Sequence, residues 1–418
     1  MVQIARAIPD DCERLANIFL DAFDNTVISQ RLFGNVARRD HVEHAAARFT
    51  KRIASDKSEM FKAVITQDDG SEKIVGLAYW DLPKTAQEIA EKAKEDEGKT
   101  DEQKREEAKK NFPPGTDLDS ALEFFGRLDP KVDEPFYHLH LLGIDPYIQR
   151  TGAGSKLLKW GCREADRAGV ATFLEATDVG MGLYRKFGFE DFGEPITGGE
   201  NNEMVVWPMR RPPLELRTFR RSDFPAMCEI YFEAFRPTTI WRYNFENVTR
   251  QASDRAFKRR LENWFDEIDN DGNTANDKHE VIVAKRGDKV LGFAVWSKVP
   301  EKSQRKENKT PFILPEGANA ERTIELITMI HEASDQYEKK HWYLGLLTIH
   351  PTAQGKGVGE SLLEWGIERA KQDGSDIVLG STEFGRALYK KFGFVDYGEP
   401  VVATQDSSVK NWPMVLSL

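Results

Sequence analysis

Two short stretches hold residue types that can grip an anion. "QRTGAG" occupies 149–154 and "QGKGVG" occupies 354–359, each between an apolar run and an amphipathic run. A strand that passes through a glycine turn into a helix leaves several backbone N–H groups unpaired at the helix start. The helix dipole adds partial positive charge there. Gly152, Gly154, Gly357 and Gly359 carry no side chain, so a ligand can approach the main chain closely. The turns are read as cradles for a phosphate or pyrophosphate. Neither ends in GK[ST], which excludes the nucleoside-triphosphate loop. A dinucleotide fingerprint needs a further glycine where Leu157, Glu360 or Leu362 stands, and belongs after the first strand. Ionisable groups lie close by. His138 and His140 share one face of the strand before the first turn, because strand side chains alternate, and Glu175 sits in the next apolar run, "TFLEAT".

The elements that must position these residues occur twice. "HLLGIDPYIQRTGAGSKLLKWGCREADRAG" at 140–169 lies opposite "GLLTIHPTAQGKGVGESLLEWGIERAKQDG" at 345–374, and "LYRKFGFEDFGEP" at 183–195 opposite "LYKKFGFVDYGEP" at 388–400. Each copy reads as a short strand, a helix capped by Asp10 or Ser222, a second helical stretch, then apolar strands joined by "DDG" and "RGD" turns. The glycine turn follows, with a helix whose apolar positions are Leu157, Leu158, Cys162 and Ala165, or Leu362, Leu363, Ile367 and Ala370. Another strand, a short helix ending at "FGF" and a final strand pair complete the unit. The fold class is α/β, in α+β layers, with a mixed central sheet in each of two tandem domains, 1–211 and 212–418. Pro212 and Pro213 mark the boundary. Within about 87–110, sixteen of 24 residues are charged, so this insertion reads as a solvated helix or a disordered segment without chemistry.

Composition narrows the function. The 418 residues are 40 % hydrophobic and 31 % charged, as in soluble globular proteins, and too many for one ordinary core. A net charge of −10 argues against nucleic-acid and anionic-membrane partners. Cys12, Cys162 and Cys228 show no CxxC spacing and read as small buried side chains. No run of 18 apolar residues occurs and the first residues lack a leader's apolar core, so a reducing cytoplasmic location is expected. "EIDNDGNTANDK" imitates a calcium loop, but Lys278 stands where the bidentate glutamate belongs, so no metal is expected.

The pattern Q-x-x-G-x-G, preceded by "IDP" or "IHP" and followed about 30 residues later by "LYRKFGF" or "LYKKFGF", resembles the GNAT superfamily of acyl-CoA N-acyltransferases. The resemblance covers most of both halves. The segment "HWYLGLLTIHPTAQGKGVG" is similar to small fungal and actinobacterial members. It implies that the turns bind the pyrophosphate of coenzyme A. The contacts would come from Leu142, Ile144, Gln149, Arg150, Thr151, Gly152, Ala153 and Gly154 in one copy. Leu347, Ile349, Gln354, Gly355, Lys356, Gly357, Val358 and Gly359 would serve in the other. It further implies a bulge near Leu141–Leu142 and Leu346–Leu347 whose amide polarises the thioester, and Tyr184 or Tyr389 protonating the departing thiolate. A base must take the amine's proton. His138, His140 and Glu175 are candidates in the first copy, His140 and Glu175 foremost. The second has Tyr343, Gly345 and Gly380 at those positions, leaving His341, His350 or Glu383 as substitutes.

The function this resemblance implies is direct acetyl transfer from acetyl-CoA to a small-molecule amine. No serine or cysteine stands beside a base in the motif to form an acyl-enzyme. "SALEFFGRL" and "IELITMIHEASDQY" read as amphipathic helices that either cover the acceptor or pack the seam between domains. The rival readings are a non-catalytic coenzyme A sensor or scaffold, an O-acyltransferase, and a longer-chain acyl-CoA transferase. Oligomeric state is not legible, and a monomer with an internal pseudo-dimer fits the duplication.

Overall fold

Residues 75–80 of the first copy are buried without a break, a pattern that needs helices on both faces of a sheet. The computed structural model describes residues 2–418 except 86, 90, 92–93, 95–99, 129, 131, 133, 266–278 and 306–311. It shows that arrangement twice, in two compact units, Met1–Pro213 and Leu214–Leu418. The division falls a couple of residues beyond the expected boundary.

In the N-terminal unit β1 (Val2–Arg6) leads into α1 (Cys12–Phe23), α2 (Val27–Phe33) and α3 (Arg38–Ile53). Then come β2 (Ser58–Thr66), β3 (Glu72–Asp81), α4 (Asp101–Lys109), α5 (Leu118–Phe125) and β4 (Phe136–Ile144). The unit closes with α6 (Ala153–Ala168), β5 (Ala171–Ala176), α7 (Asp178–Lys186), β6 (Glu190–Asp191), β7 (Ile196–Gly198) and β8 (Met204–Arg211). The sheet order is β1-β2-β3-β4-β5-β8-β6, with β7 on β8. All pairs are antiparallel except β4–β5.

The C-terminal unit repeats the plan with β9 (Leu214–Thr218), α8 (Phe224–Phe235), α9 (Thr239–Phe245), α10 (Arg250–Phe265), β10 (His279–Arg286) and β11 (Lys289–Val299). There follow α11 (Ala320–Asp335), β12 (His341–Ile349), α12 (Val358–Gln372), β13 (Asp376–Ser381), α13 (Glu383–Lys391), β14 (Val395–Asp396), β15 (Val401–Ala403) and β16 (Asp406–Leu416). Its sheet order is β9-β10-β11-β12-β13-β16-β14, with β15 on β16.

One face of the first sheet packs Leu77 and Tyr79 against Leu15 and Ile18 of α1 and Phe49 of α3. The other packs Trp80, Leu139 and Leu174 against Leu157 and Leu158 of α6. Leu157 and Leu158 are completely buried, each contributing about 1.5–3 kcal/mol. The repeated "WG" pair has a steric cause. A Cβ on Gly161 would lie 2.5 Å from the Trp80 ring, and one on Gly366 would lie 2.0 Å from Trp296. Buried Arg211 forks onto Asp166 with two bonds of 2.7 Å and gives its Nε–H to the Phe187 carbonyl, tying β8 to α6.

Some local expectations shift. The carboxylates that receive the backbone before α1 and α8 belong to Asp11 and Asp223, one residue after Asp10 and Ser222. Ile8 N–H and Arg220 N–H each donate to them at 2.8 Å. Asp11 and Asp223 are buried and matched by Lys62 and Arg217, which the exposed positions expected could not offer. Residues 101–109 of the charged insertion are helical. The calcium-like segment 267–278 lies outside the described residues. Cys12, Cys162 and Cys228 are buried and unbridged. No helix among the described residues is long and apolar enough to cross a membrane.

Candidate active site

The parallel β4–β5 pairing runs from Phe136↔Ala171 to Leu139↔Leu174 and stops, although β4 continues to Ile144. The strands diverge at that point, and a cavity of about 1830 Å³ opens beside the separated segment. Every candidate of the first copy lines it: Leu142, Ile144, Gln149, Arg150, Thr151, Gly152, Ala153, Gly154, His140, Glu175 and Tyr184.

At one end of the cavity Gly152 adopts φ 85°, a left-handed conformation that starts α6 without a side-chain cap. The first helical bond runs from Lys156 N–H to the Gly152 carbonyl, so the amides of Ala153, Gly154 and Ser155 precede the helical ladder. A Cβ on Gly152 would meet nothing within 4 Å, which marks open space above the turn. Arg150 also has a positive φ, 63°, where its counterpart Gly355 has 74°. A non-glycine residue there costs about 1–2 kcal/mol, so an arginine is held where glycine would be cheaper. Positive charge, helix amides and open space fit a pyrophosphate.

In the middle of the cavity, β4 carries an extra residue. Tyr79 pairs with Leu141 and Trp80 with Leu139, leaving His140 as the bulge. The bulge therefore falls just before the expected Leu141–Leu142. The second copy repeats it at Gly345, before Leu346–Leu347, because Val295 pairs with Leu346 and Trp296 with Leu344. Such a bulge re-aims its side chain. The His140 side chain is 36 % exposed, and the opening is onto the cavity. Its Nε2 lies 2.8 Å from Asp81 Oδ2. Burial and nearby His138 outweigh that carboxylate and hold the His140 pKa below the ordinary value. A carboxylate only accepts, so Nε2 carries the hydrogen and Nδ1 is left with its lone pair at neutral pH.

Asp81 is fixed in turn. Burial alone would raise its pKa, but His140, the Tyr79 hydroxyl and Arg52 hold it well below the carboxylate range. Arg52 stands 3.6 Å from Asp81 and over the Tyr79 ring, and that ring stacks on His140 at 5.2 Å. Asp81, Tyr79 and Arg52 did not stand out in the sequence. Their signal was available: the positions opposite Tyr79 and Asp81 in the second copy are Val295 and Ser297, so a phenol and a carboxylate are lost while Gly76, Ala78 and Trp80 recur as Gly292, Ala294 and Trp296. Glu175, by contrast, is occupied by His138, whose Nε2 lies 2.9 Å from its Oε2. The two histidine rings are 4.0 Å apart, so the three candidate bases do converge.

Tyr184 is buried on α7, and burial raises its pKa far above the ordinary tyrosine value, keeping the phenol protonated. Gly180, one turn earlier, makes room for it, since a Cβ there would be 2.7 Å from the ring. Gly385 does the same for Tyr389 at 2.8 Å, and burial raises the Tyr389 pKa as well.

The second copy keeps the turn, the bulge and the tyrosine but not the ionisable side chains of the first. Gly357 caps α12 at φ 95°, Ser361 N–H makes the first helical bond to its carbonyl, and Val358 and Gly359 sit in the first turn. Gln354 Nε2 donates to the Ile349 carbonyl at 3.1 Å, and Lys356 Nζ to the Thr352 carbonyl. Leu347 and Ile349 lie on β12, and Leu347 pairs with Ala294 of β11. Half-buried Tyr343 replaces His138, Gly345 replaces His140, and Gly380 replaces Glu175. A Cβ on Gly380 would strike Asn411 Oδ1 at 2.6 Å, so Asn411 fills that space. None of the three substitutes stands in the place of His138, His140 or Glu175. His341 is buried at the far end of β12 against the Lys339 carbonyl, His350 caps the Pro351–Ala353 turn through Thr352, and Glu383 is exposed. Among the described residues of the chain, no group of three or more His, Cys, Asp or Glu is gathered to hold a metal ion.

The sequence model of the acetyltransferase (GNAT) family matches residues 64–189 and 226–394, once in each unit, and the chain belongs to that family. Similar solved structures include a histone acetyltransferase HPA2 and related acetyltransferase from Corynebacterium glutamicum. It is 21% identical over 49% of this chain and 96% of that one, with a TM-score of 0.32. A PaiA N-acetyltransferase from Thermoplasma acidophilum in complex with coenzyme A is 17% identical over 49% and 99%, TM-score 0.33. A GNAT family acetyltransferase from Brucella melitensis in complex with acetyl-CoA is 17% identical over 49% and 88%, TM-score 0.27. No curated protein matches the chain.

Proposed function

We propose that the N-terminal domain is an acetyl-CoA-dependent N-acetyltransferase acting directly on a small-molecule amine, and that the C-terminal domain supports it without turning over. The observation that carries this reading is that the glycine turn, the bulged His140 and Tyr184 line a single cavity. Coenzyme A would be held by the amides of Ala153, Gly154 and Ser155 and by Arg150 at its pyrophosphate, and along β4 by Leu142 and Ile144. Bound there, acetyl-CoA supplies the acetyl group as a thioester. His140 Nδ1 accepts the proton of the incoming amine, with Asp81 positioning the ring and stabilising its charge. The Tyr184 phenol gives its proton to the departing sulfur. Glu175 acts through His138 and is a positioning residue.

The test is steady-state turnover of acetyl-CoA with a panel of amines, with product masses identifying N-acetyl rather than O-acetyl or longer acyl products. His140→Ala is expected to lower kcat by about 10²-fold or more and Tyr184→Phe comparably, while acetyl-CoA binding is kept. Unchanged kcat in both variants would remove them from the reaction. The sensor reading is favoured for the C-terminal unit by a specific observation, the replacement there of Tyr79, Asp81, His138, His140 and Glu175 by Val295, Ser297, Tyr343, Gly345 and Gly380.

A further inference from the structure

One stripe of α3 faces the cavity. His41, His44, Arg48 and Arg52 recur at steps of three and four residues, and all four line it. Arg52 has an acid opposite, Asp81. Arg48 has none among the described residues. Its guanidinium lies 5.9 Å over the Phe49 ring, and burial together with the charge of Arg52 pushes its pKa down. The neighbouring histidines add no anion and little charge. Burial first, then the charge of Arg48, lowers His41 to about 4, and burial likewise lowers His44. Across the cavity, Glu134 and Glu203 are taken by Arg210 and Arg31.

This half-buried guanidinium lines the cavity without the counter-charge that cations drawn out of water ordinarily acquire. Its planar fork matches a carboxylate with two parallel hydrogen bonds. Arg48 adjoins Arg52 and Tyr79, and Tyr79 stacks on His140, so one aromatic ring separates Arg48 from the proton-accepting side chain. The same cavity has an apolar share of its wall in Phe112, Phe124, Phe125 and Leu128. We infer that the acceptor is an amine that also bears a carboxylate, an amino acid with an apolar or aromatic body, and that Arg48 binds the carboxylate. This rests on the acetyltransferase reading of the same cavity.

The experiment is calorimetry on the full chain saturated with coenzyme A, titrated with 3-phenylpropionate and with its neutral amide. The acid should bind at least about tenfold more tightly than the amide. Arg48→Met should bring the acid down to the amide, and Arg48→Lys should restore some of the preference, with thermal melts checking the fold of each. Equal affinity of acid and amide in the unmodified protein, no binding of either, or a preference that survives Arg48→Met would overturn the assignment. Failure of the transferase reading is separate and visible first, as missing heat in the coenzyme A titration.

Discussion

At the residue scale, the N-terminal site rests on an ordinary side chain, a histidine kept neutral at the bulge of β4. His140 has a lowered pKa, so it is neutral above that value and charged only below it. A base works when deprotonated, so kcat/KM should rise with pH through an acid limb centred below pH 6.5 and stay level through neutrality. Asp81 favours the charged form of the ring, so Asp81→Asn should move the limb lower still and reduce the plateau. A limb at or above pH 6.5, or one unmoved in Asp81→Asn, would exclude this assignment. Arg150 gives a second test. Arg150→Gly relieves a left-handed backbone and should raise stability by about 1 kcal/mol in urea titrations, while weakening acetyl-CoA binding several-fold. If affinity is unchanged, the arginine is not a phosphate ligand.

At the scale of elements, the site exists because two strands of one sheet diverge and the freed strand bulges. Repetition made some of this legible. The glycine turns, the "LY" tyrosines and the strand–turn–helix order stood out because they recur at one offset. What repetition could not reveal was which β4 residue becomes the bulge, since Leu141 and Leu142 are as apolar as any strand residue and register is set by pairing with β3. Asp81 and Arg52 were out of reach for a related reason, lying 59 and 88 positions before His140 and meeting it only through the sheet and α3. Gly161, Gly180 and Gly385 were readable only once the rings of Trp80, Tyr184 and Tyr389 had been placed. Gly161→Ala should cost about 1–3 kcal/mol, because a methyl must displace a wholly buried indole. An unchanged thermal midpoint would show that Trp80 can yield.

At the scale of the molecule, duplication has given two units with one plan and unequal chemistry. The N-terminal unit joins a pyrophosphate-shaped turn to a histidine, an aspartate and a protonated tyrosine in one cavity. The C-terminal unit keeps the turn and its tyrosine but has Tyr343 and Gly345 in place of the two histidines and Asn411 in the space of Glu175. The central claim is that acetyl-CoA sits in the N-terminal cleft, and the most direct measurement is a calorimetric titration of the full chain compared with Gly152→Glu and Gly357→Glu. Each glutamate would enter open space at the surface of its turn, adding negative charge where a pyrophosphate should lie. Gly152→Glu is expected to abolish a binding event that Gly357→Glu leaves intact. Undiminished binding in Gly152→Glu, with its melt confirming a folded protein, would contradict that claim.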